Sequence, residues 1–142
     1  MNTNEIVDVL RRHAKHFDGV FSLDTLPAKP RLLICNTDPS DKPGRHWVCI
    51  CVEDGRGEFF DSFGRRPCEV LERYLNSCCS SWIFNTRQLQ SVISKFCGHY
   101  CIYYCVLRSR SIDMRKIVSS LSTDTSFNDA LVHAFVCKQL RS

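Results

Sequence analysis

The sequence predicts an α+β fold in which a small mixed or antiparallel sheet packs against helices around one central buried helix. Three observations lead to this prediction. The segment from Cys97 to Leu107 is apolar or weakly polar on every side, which is typical of a helix buried all round. Two short apolar runs joined by a glycine-containing turn indicate a β-hairpin between His46 and Asp61. Segments with helical spacing of apolar residues flank both features.

The expected helices and strands follow from spacing and turn signals. The helices are residues 3–17, 67–78, 97–107, 111–121 and 127–140. The strands are residues 31–36, 46–52, 58–61 and 82–85, the last with Leu89. Residues 21–30 and the turn-rich residues 37–44 are expected as loops, and residues 53–57 as the hairpin turn.

Two helix caps are predicted as well. Asn2 with Glu5 suits a capping box at the first helix, and Ser126 with Asp129 could cap the last. The register of the hairpin is left open, since its loop can centre in more than one place.

Length and composition indicate one domain over residues 1–142. Hydrophobic residues make up 44% of the chain and charged residues 24%, as in globular proteins. We expect no membrane partner, because no apolar run is long enough to span a bilayer, and no secretion, because the N-terminal residues lack a signal pattern. Several of the ten cysteines, such as Cys49 and Cys51, lie inside apolar patterns. Reduced thiols in a cytosolic or nuclear setting are therefore expected.

The chemistry-bearing residues converge on a thiol. Cys97 opens the buried helix, where free backbone N–H groups and the helix dipole favour negative charge on sulfur. A thiol nucleophile needs a base, and the base needs an acceptor that orients it. Antiparallel pairing brings His46, at the start of one strand, towards Asp61, at the end of the next. We therefore expect a His46–Asp61–Cys97 triad.

Acyl chemistry also needs donors aimed at the developing oxyanion. The backbone N–H of Cys97 is one candidate, and the side-chain amide of Gln90, seven residues earlier, is the second. Gly98 has no side chain, so a substrate backbone could approach it closely.

These residues resemble the adenovirus-type cysteine protease (adenain) family, in a clan shared with the SUMO-deconjugating proteases. The resemblance rests on His46-Trp47 opening a strand, Phe60-Asp-Ser-Phe-Gly64 after the hairpin, and Gln90-Ser-Val followed by Cys97-Gly98. The order His, acid, Cys is that of the clan, and the resemblance covers nearly the whole chain. The chain is far shorter than adenain, and Asp61 stands where adenain has Glu.

The resemblance implies a cysteine endopeptidase in which Cys97 is the nucleophile, His46 the base and acid, Asp61 the orienter, and Gln90 with the Cys97 amide the oxyanion hole. Trp47 would form one wall of a channel that binds the substrate residues before the scissile bond (the P side), which would be small or include glycine. Compact relatives occur in DNA viruses and virus-like transposons. This implies a monomer that matures viral capsid or core precursors, located in the host nucleus or cytoplasm and in the virion.

No cofactor is required for the chemistry itself. By resemblance, a disulfide-linked activating peptide and DNA are the expected activators, although we match none of the ten cysteines to that disulfide. A deconjugating peptidase for ubiquitin or a ubiquitin-like protein is the alternative within the enzyme class.

Two alternatives belong to other classes. A structural zinc site would use cysteines such as Cys97, Cys101 and Cys105, but steps of four on one buried helix do not form a CxxC knuckle, so we expect no metal. A nucleic-acid binder would use the basic clusters, whose default interpretation is a solvated face. These clusters are Arg11-Arg12-Lys15, Arg65-Arg66 and Arg108-Arg110-Arg115-Lys116.

Overall fold

The computed structural model describes residues 1–37 and 46–142. The helices, in chain order, are α1 (Thr3–His13), α2 (Glu69–Cys78), α3 (Cys97–Ser109), α4 (Met114–Ser119) and α5 (Thr125–Arg141). The strands are β1 (Phe17–Ser22), β2 (Leu32–Asn36), β3 (Trp47–Glu53), β4 (Arg56–Phe60) and β5 (Ser81–Phe84). This is the expected α+β fold. The loop predicted at residues 37–44 lies, apart from Thr37, outside the described residues.

The five strands form one mixed sheet in the order β1-β2-β3-β4-β5. The inner pairs are antiparallel and the two outer pairs, β1–β2 and β4–β5, are parallel. The hairpin turn is tighter than the expected 53–57 loop, because Asp54 and Gly55 alone make it, with φ of 52° and 74°. Positive φ at both central residues defines the two-residue turn that Asp-Gly favours. It sets the register with Cys49 opposite Phe60.

The start of the chain differs from the prediction. Helix α1 ends at His13 rather than at residue 17, and residues 17–22, partly assigned to a loop, form β1. Ala14, at the C-cap, already has an extended backbone, and His16 then adopts φ of 63° before β1 pairs in parallel with β2. That pairing joins distant segments, so local spacing could not reveal it.

The predicted caps are partly confirmed. Asn2 and Glu5 form the capping box, with both hydrogen bonds at 2.9 Å. The expected Ser126–Asp129 cap is wrong: Asp124 caps α5 by accepting from the N–H of Phe127, because the helix begins two residues earlier than predicted.

Two apolar clusters enclose the sheet. One face packs on α2 through Leu71 and Leu75. The other packs on α1, α3 and α5, and there every residue of α3 from Cys97 to Val106 except His99 is buried. The central buried helix is therefore as predicted. In the part of the chain that the structure describes, no helix is long and apolar enough to cross a membrane.

A polar clamp joins β4 to the far end of α3. Glu58 accepts hydrogen bonds from the Tyr104 hydroxyl (2.5 Å), Arg108 Nε (3.1 Å) and the backbone N–H of Met114 (3.2 Å). Arg108 also pairs with Glu53 at 2.8 Å. Because the carboxylate and guanidinium are both largely buried, each depends on the other's charge for compensation.

Candidate active site

The hairpin brings a histidine and an aspartate together at one end of the sheet. His46 directly precedes β3 and Asp61 directly follows β4. His46 Nε2 lies 2.8 Å from Asp61 Oδ1, and only 5% of the aspartate side chain is exposed. The predicted contact is thus present: the β3–β4 pairing ends at Cys49 and Phe60, and beyond it the Asp61 carboxylate reaches the imidazole.

Helix α3 supplies the third group. Cys97 is its first residue, is 7% exposed, and shares a side-chain hydrogen bond with His46. Because Nε2 faces the aspartate, Nδ1 is the nitrogen left for the sulfur. Phe96, at the N-cap of α3, makes no side-chain cap hydrogen bond.

The electrostatics favour a charged imidazole. Burial alone would lower the pKa of His46, but its hydrogen bonds and charge interactions with Asp61 and Cys97 outweigh burial and raise the pKa from 6.5 to about 9. An imidazolium between a carboxylate and a sulfur is the arrangement that stabilises a thiolate.

Gln90 lies buried in the loop before α3. Its Oε1 accepts from the Ser62 hydroxyl at 2.5 Å, and its Nε2 donates to the backbone oxygen and Oγ of Ser94, both at 3.1 Å. The backbone carbonyl of Ser94 can only accept, so it fixes the amide nitrogen on that side and leaves Oε1 facing Ser62. In this structure the side-chain amide of Gln90 donates to Ser94. The oxyanion role of Gln90 therefore stays a prediction, and it requires one amide N–H to turn from Ser94 to the substrate.

Trp47 and Gly98 pack against each other. A Cβ added to Gly98 would lie 3.1 Å from the Trp47 ring and 3.2 Å from Ile6, closer than ordinary contact. This packing accounts for the glycine without a substrate. The substrate-channel roles of both residues stay predictions.

Sequence reasoning assigned no role to three residues that hold the site. Asn85 accepts from the N–H of Asp61 (3.0 Å) and donates to its carbonyl (2.6 Å), which extends the β4–β5 pairing by a side chain. Ser62 anchors Gln90. The Phe63 ring lies 5.1 Å from that of His46. The Asp61-Ser62-Phe63 motif could have pointed to Ser62 and Phe63 from the sequence. Nothing in the sequence marks Asn85.

The cysteines further along α3 are packing residues. Cys101 and Cys105 are buried, as expected, and burial raises the pKa of Cys101 to about 11. Over residues 1–37 and 46–142, no group of three His, Cys, Asp or Glu side chains is arranged to hold a metal ion.

The basic clusters are partly neutralised. Arg12 pairs with Asp8, Arg66 with Glu72, and Arg108 with two glutamates. DNA binding and peptide activation stay predictions.

Comparisons with known proteins agree with this fold. No model of a protein family matches the chain. The cysteine protease S273R of African swine fever virus is 28% identical over 118 residues, covering 72% of this chain and 42% of the viral protein. This chain therefore spans less than half the length of that relative.

Solved protein structures also resemble the fold of this chain. The crystal structure of the ASFV pS273R protease superposes with a TM-score of 0.66 at 17% identity, covering 93% of this chain and 66% of that one. ChlaDub1 from Chlamydia trachomatis gives a TM-score of 0.57 at 14% identity, over 78% of this chain and 60% of its own. The chain thus has the fold of the pS273R protease and shares sequence with a viral cysteine protease. The more specific adenain resemblance stays a prediction.

Proposed function

We propose that this chain is a cysteine endopeptidase in which Cys97, His46 and Asp61 form the catalytic triad. One observation carries the proposal: the half-buried imidazole of His46 hydrogen-bonds both the Asp61 carboxylate, at 2.8 Å, and the thiol that begins α3. The sequence likeness to the viral cysteine protease and the shared fold support the same chemistry.

The roles follow from this geometry. His46 takes the proton of Cys97, and the resulting thiolate attacks the carbonyl carbon of the scissile peptide bond. The C–N bond breaks as His46 returns the proton to the leaving amine, which leaves an acyl-enzyme. Water, deprotonated by His46, then hydrolyses the thioester and releases the free thiol. Asp61 keeps the imidazole oriented and stabilises its charged form through both stages.

The oxyanion would form beside the first turn of α3. The N–H of Cys97 is one donor there, and Gln90 Nε2 is the second once it exchanges Ser94 for the substrate oxygen. Ser62 binds Oε1 and so holds the other end of the amide in place. Such donors act most strongly where water is excluded, and Gln90 is 1% exposed.

The proposed substrates are viral capsid or core precursor polypeptides, cut after small or glycine-containing sequences beside Trp47. The enzyme would act as a monomer in the host nucleus or cytoplasm and in the virion, with no cofactor needed for chemistry. A viral relative and the adenain-like motifs support this substrate class. Activation by a peptide or by DNA belongs to the same proposal.

Cleavage profiling tests the function. We would present a peptide library with Gly-Gly and Gly-X junctions beside a panel of ubiquitin-like probes carrying a thiol-reactive C-terminus, using Cys97→Ala as the control. Cleavage of glycine-containing peptides that needs Cys97 supports an endopeptidase. Labelling by ubiquitin-like probes without peptide cleavage would assign a deconjugating peptidase instead. Cleavage that survives in Cys97→Ala would refute the nucleophile.

A further inference from the structure

Phe63 contacts both members of the His46–Asp61 pair. Its ring centroid lies 5.1 Å from that of His46, with 34° between the planes. Its backbone N–H donates at 2.8 Å to Oδ1 of Asp61, the same oxygen that faces His46. The phenylalanine is half-buried beside this pair.

A charged side chain lies over this ring in turn. The guanidinium carbon of Arg65 is 4.8 Å from the Phe63 centroid, while Arg65 itself is exposed. An arginine over an aromatic face is attractive and limits where that ring can move. The ring is therefore held in place beside the imidazole.

We propose that Phe63 is a positioning residue for the proposed protease reaction, covering the His46–Asp61 hydrogen bond and fixing the carboxylate through its own N–H. Water competes for such a bond when it is exposed, whereas a low local dielectric strengthens it. The Phe63 ring shields the hydrogen bond from water on one side. The face of the ring also attracts a charged imidazole. Phe63 touches neither the substrate nor the sulfur in this role.

The charged groups near His46 fix the expected direction of change. Among the described residues these are Asp61 and Cys97, which contact it, and Arg65, which lies over Phe63. When water reaches a partly buried ionisable group, the pKa of that group moves back towards its ordinary value. Water weakens both the burial penalty and the hydrogen bonds that oppose it. Since the net shift in the pKa of His46 is upward, opening the site to water should lower it.

The test titrates His46 directly by NMR of histidine-labelled protein, with the resonance assigned from a His46→Asn variant. Phe63→Leu, which keeps apolar bulk but loses the ring, should move the His46 midpoint down by about one pH unit or more, and Phe63→Ala further. Phe63→Tyr, which keeps the ring, should titrate as the wild type. Phe135→Leu is the matched control, because Phe135 is also half-buried against a ring, that of Tyr103, far from this pair.

Kinetics supply the second readout where a cleavable peptide is found. Phe63→Leu should lower kcat by about tenfold with KM little changed, and move the alkaline limb of the rate profile down with the NMR midpoint. A folded Phe63→Leu protein that titrates and turns over like the wild type would overturn the proposal. If no variant, wild type included, cleaves any peptide, the proposed function fails while the titration still decides the role of Phe63.

Discussion

Asp61 Oδ1 lies 2.8 Å from His46 Nε2, and each residue is the first beyond the end of its own strand. Pairing of β3 with β4 ends at Cys49 and Phe60, and β3 is then held by β2 as far as Trp47. Beyond these ends the side chains of His46 and Asp61 turn towards each other. The same carboxylate oxygen also accepts from the N–H of Phe63, so its position is fixed from two directions.

We expect Cys97 to be the cysteine most rapidly alkylated at near-neutral pH, because His46 stabilises its thiolate. Brief iodoacetamide treatment followed by peptide mass spectrometry measures this. Cys68 is the matched control, since it also lies at a helix N-terminus, the N-cap of α2, and is exposed, whereas Cys97 is only 7% exposed.

Faster labelling of Cys97 than of Cys68 would show activation that exposure cannot explain. Replacing His46 with Ala should abolish the difference. Fast labelling of Cys101 or Cys105 with Cys97 spared would contradict the assignment of the nucleophile.

Asp61→Asn should lower turnover by about a hundredfold or more while leaving the fold intact. The amide is nearly the same size and can still accept from the N–H of Phe63, but it carries no charge to stabilise the imidazolium. Steady-state rates with a cleaved peptide, together with circular dichroism, measure both effects. Asp18→Asn is a control that alters a carboxylate binding two backbone N–H groups elsewhere in the sheet. Equal rates for Asp61→Asn and the wild type would rule out the orienting role.

Stability should depend on pH through the same pair. The pKa of His46 in the folded chain, about 9, is raised above the ordinary 6.5, so folding favours the protonated form. This stabilisation is fully present below about pH 6.5 and is lost as the pH rises through about 9. Thermal unfolding at pH 6 and pH 9.5 should show a drop in Tm that shrinks in Asp61→Asn. A drop of the same size in both proteins would mean that other groups cause it.

Gln90→Ala should cost about 2–4 kcal/mol of transition-state stabilisation, as removal of one oxyanion donor does elsewhere. The loss should appear in kcat. Gln90 also bonds Ser62 and Ser94, so Tm is measured in parallel to separate loss of structure from loss of rate. Gln88→Ala is the control, because Gln88 is exposed and binds the carbonyl of Gln90. If Gln88→Ala lowers kcat and Gln90→Ala does not, the donor is Gln88.

Cys101→Ala should lower the free energy of unfolding by about 1 kcal/mol or somewhat more, as a small cavity does, and leave the catalytic chemistry in place. Cys101 is 1% exposed and faces Cys49 across the core. A chelator should change neither Tm nor activity. Loss of structure on chelation would show that a metal site had been mistaken for packing cysteines.

The sequence predicts much of this site because its residues stand at element ends. Cys97 opens an apolar run, and His46 and Asp61 border the two strands of a hairpin, so antiparallel pairing predicts that they approach each other. The register itself is set by the Asp54-Gly55 turn that the structure shows. Strand β1 could not be predicted in this way, because its partner β2 lies beyond a loop and parallel pairing leaves no local signal. Asn85 was missed for a related reason: a side chain that replaces a ladder hydrogen bond is visible only once the strands are adjacent.

The clamp at Glu58 bears on catalysis through the tilt of α3. From Cys97 to Ser109 the helix rises about 18 Å, so a rotation of about 3° about its far end moves the sulfur by about 1 Å. A displacement of that size is enough to cost about a hundredfold in rate. Arg108 and Tyr104, two to three turns from the thiol, hold that far end to β4, the strand that leads into Asp61. The alignment of nucleophile and acid is thus set partly by an ion pair at the opposite end of the helix.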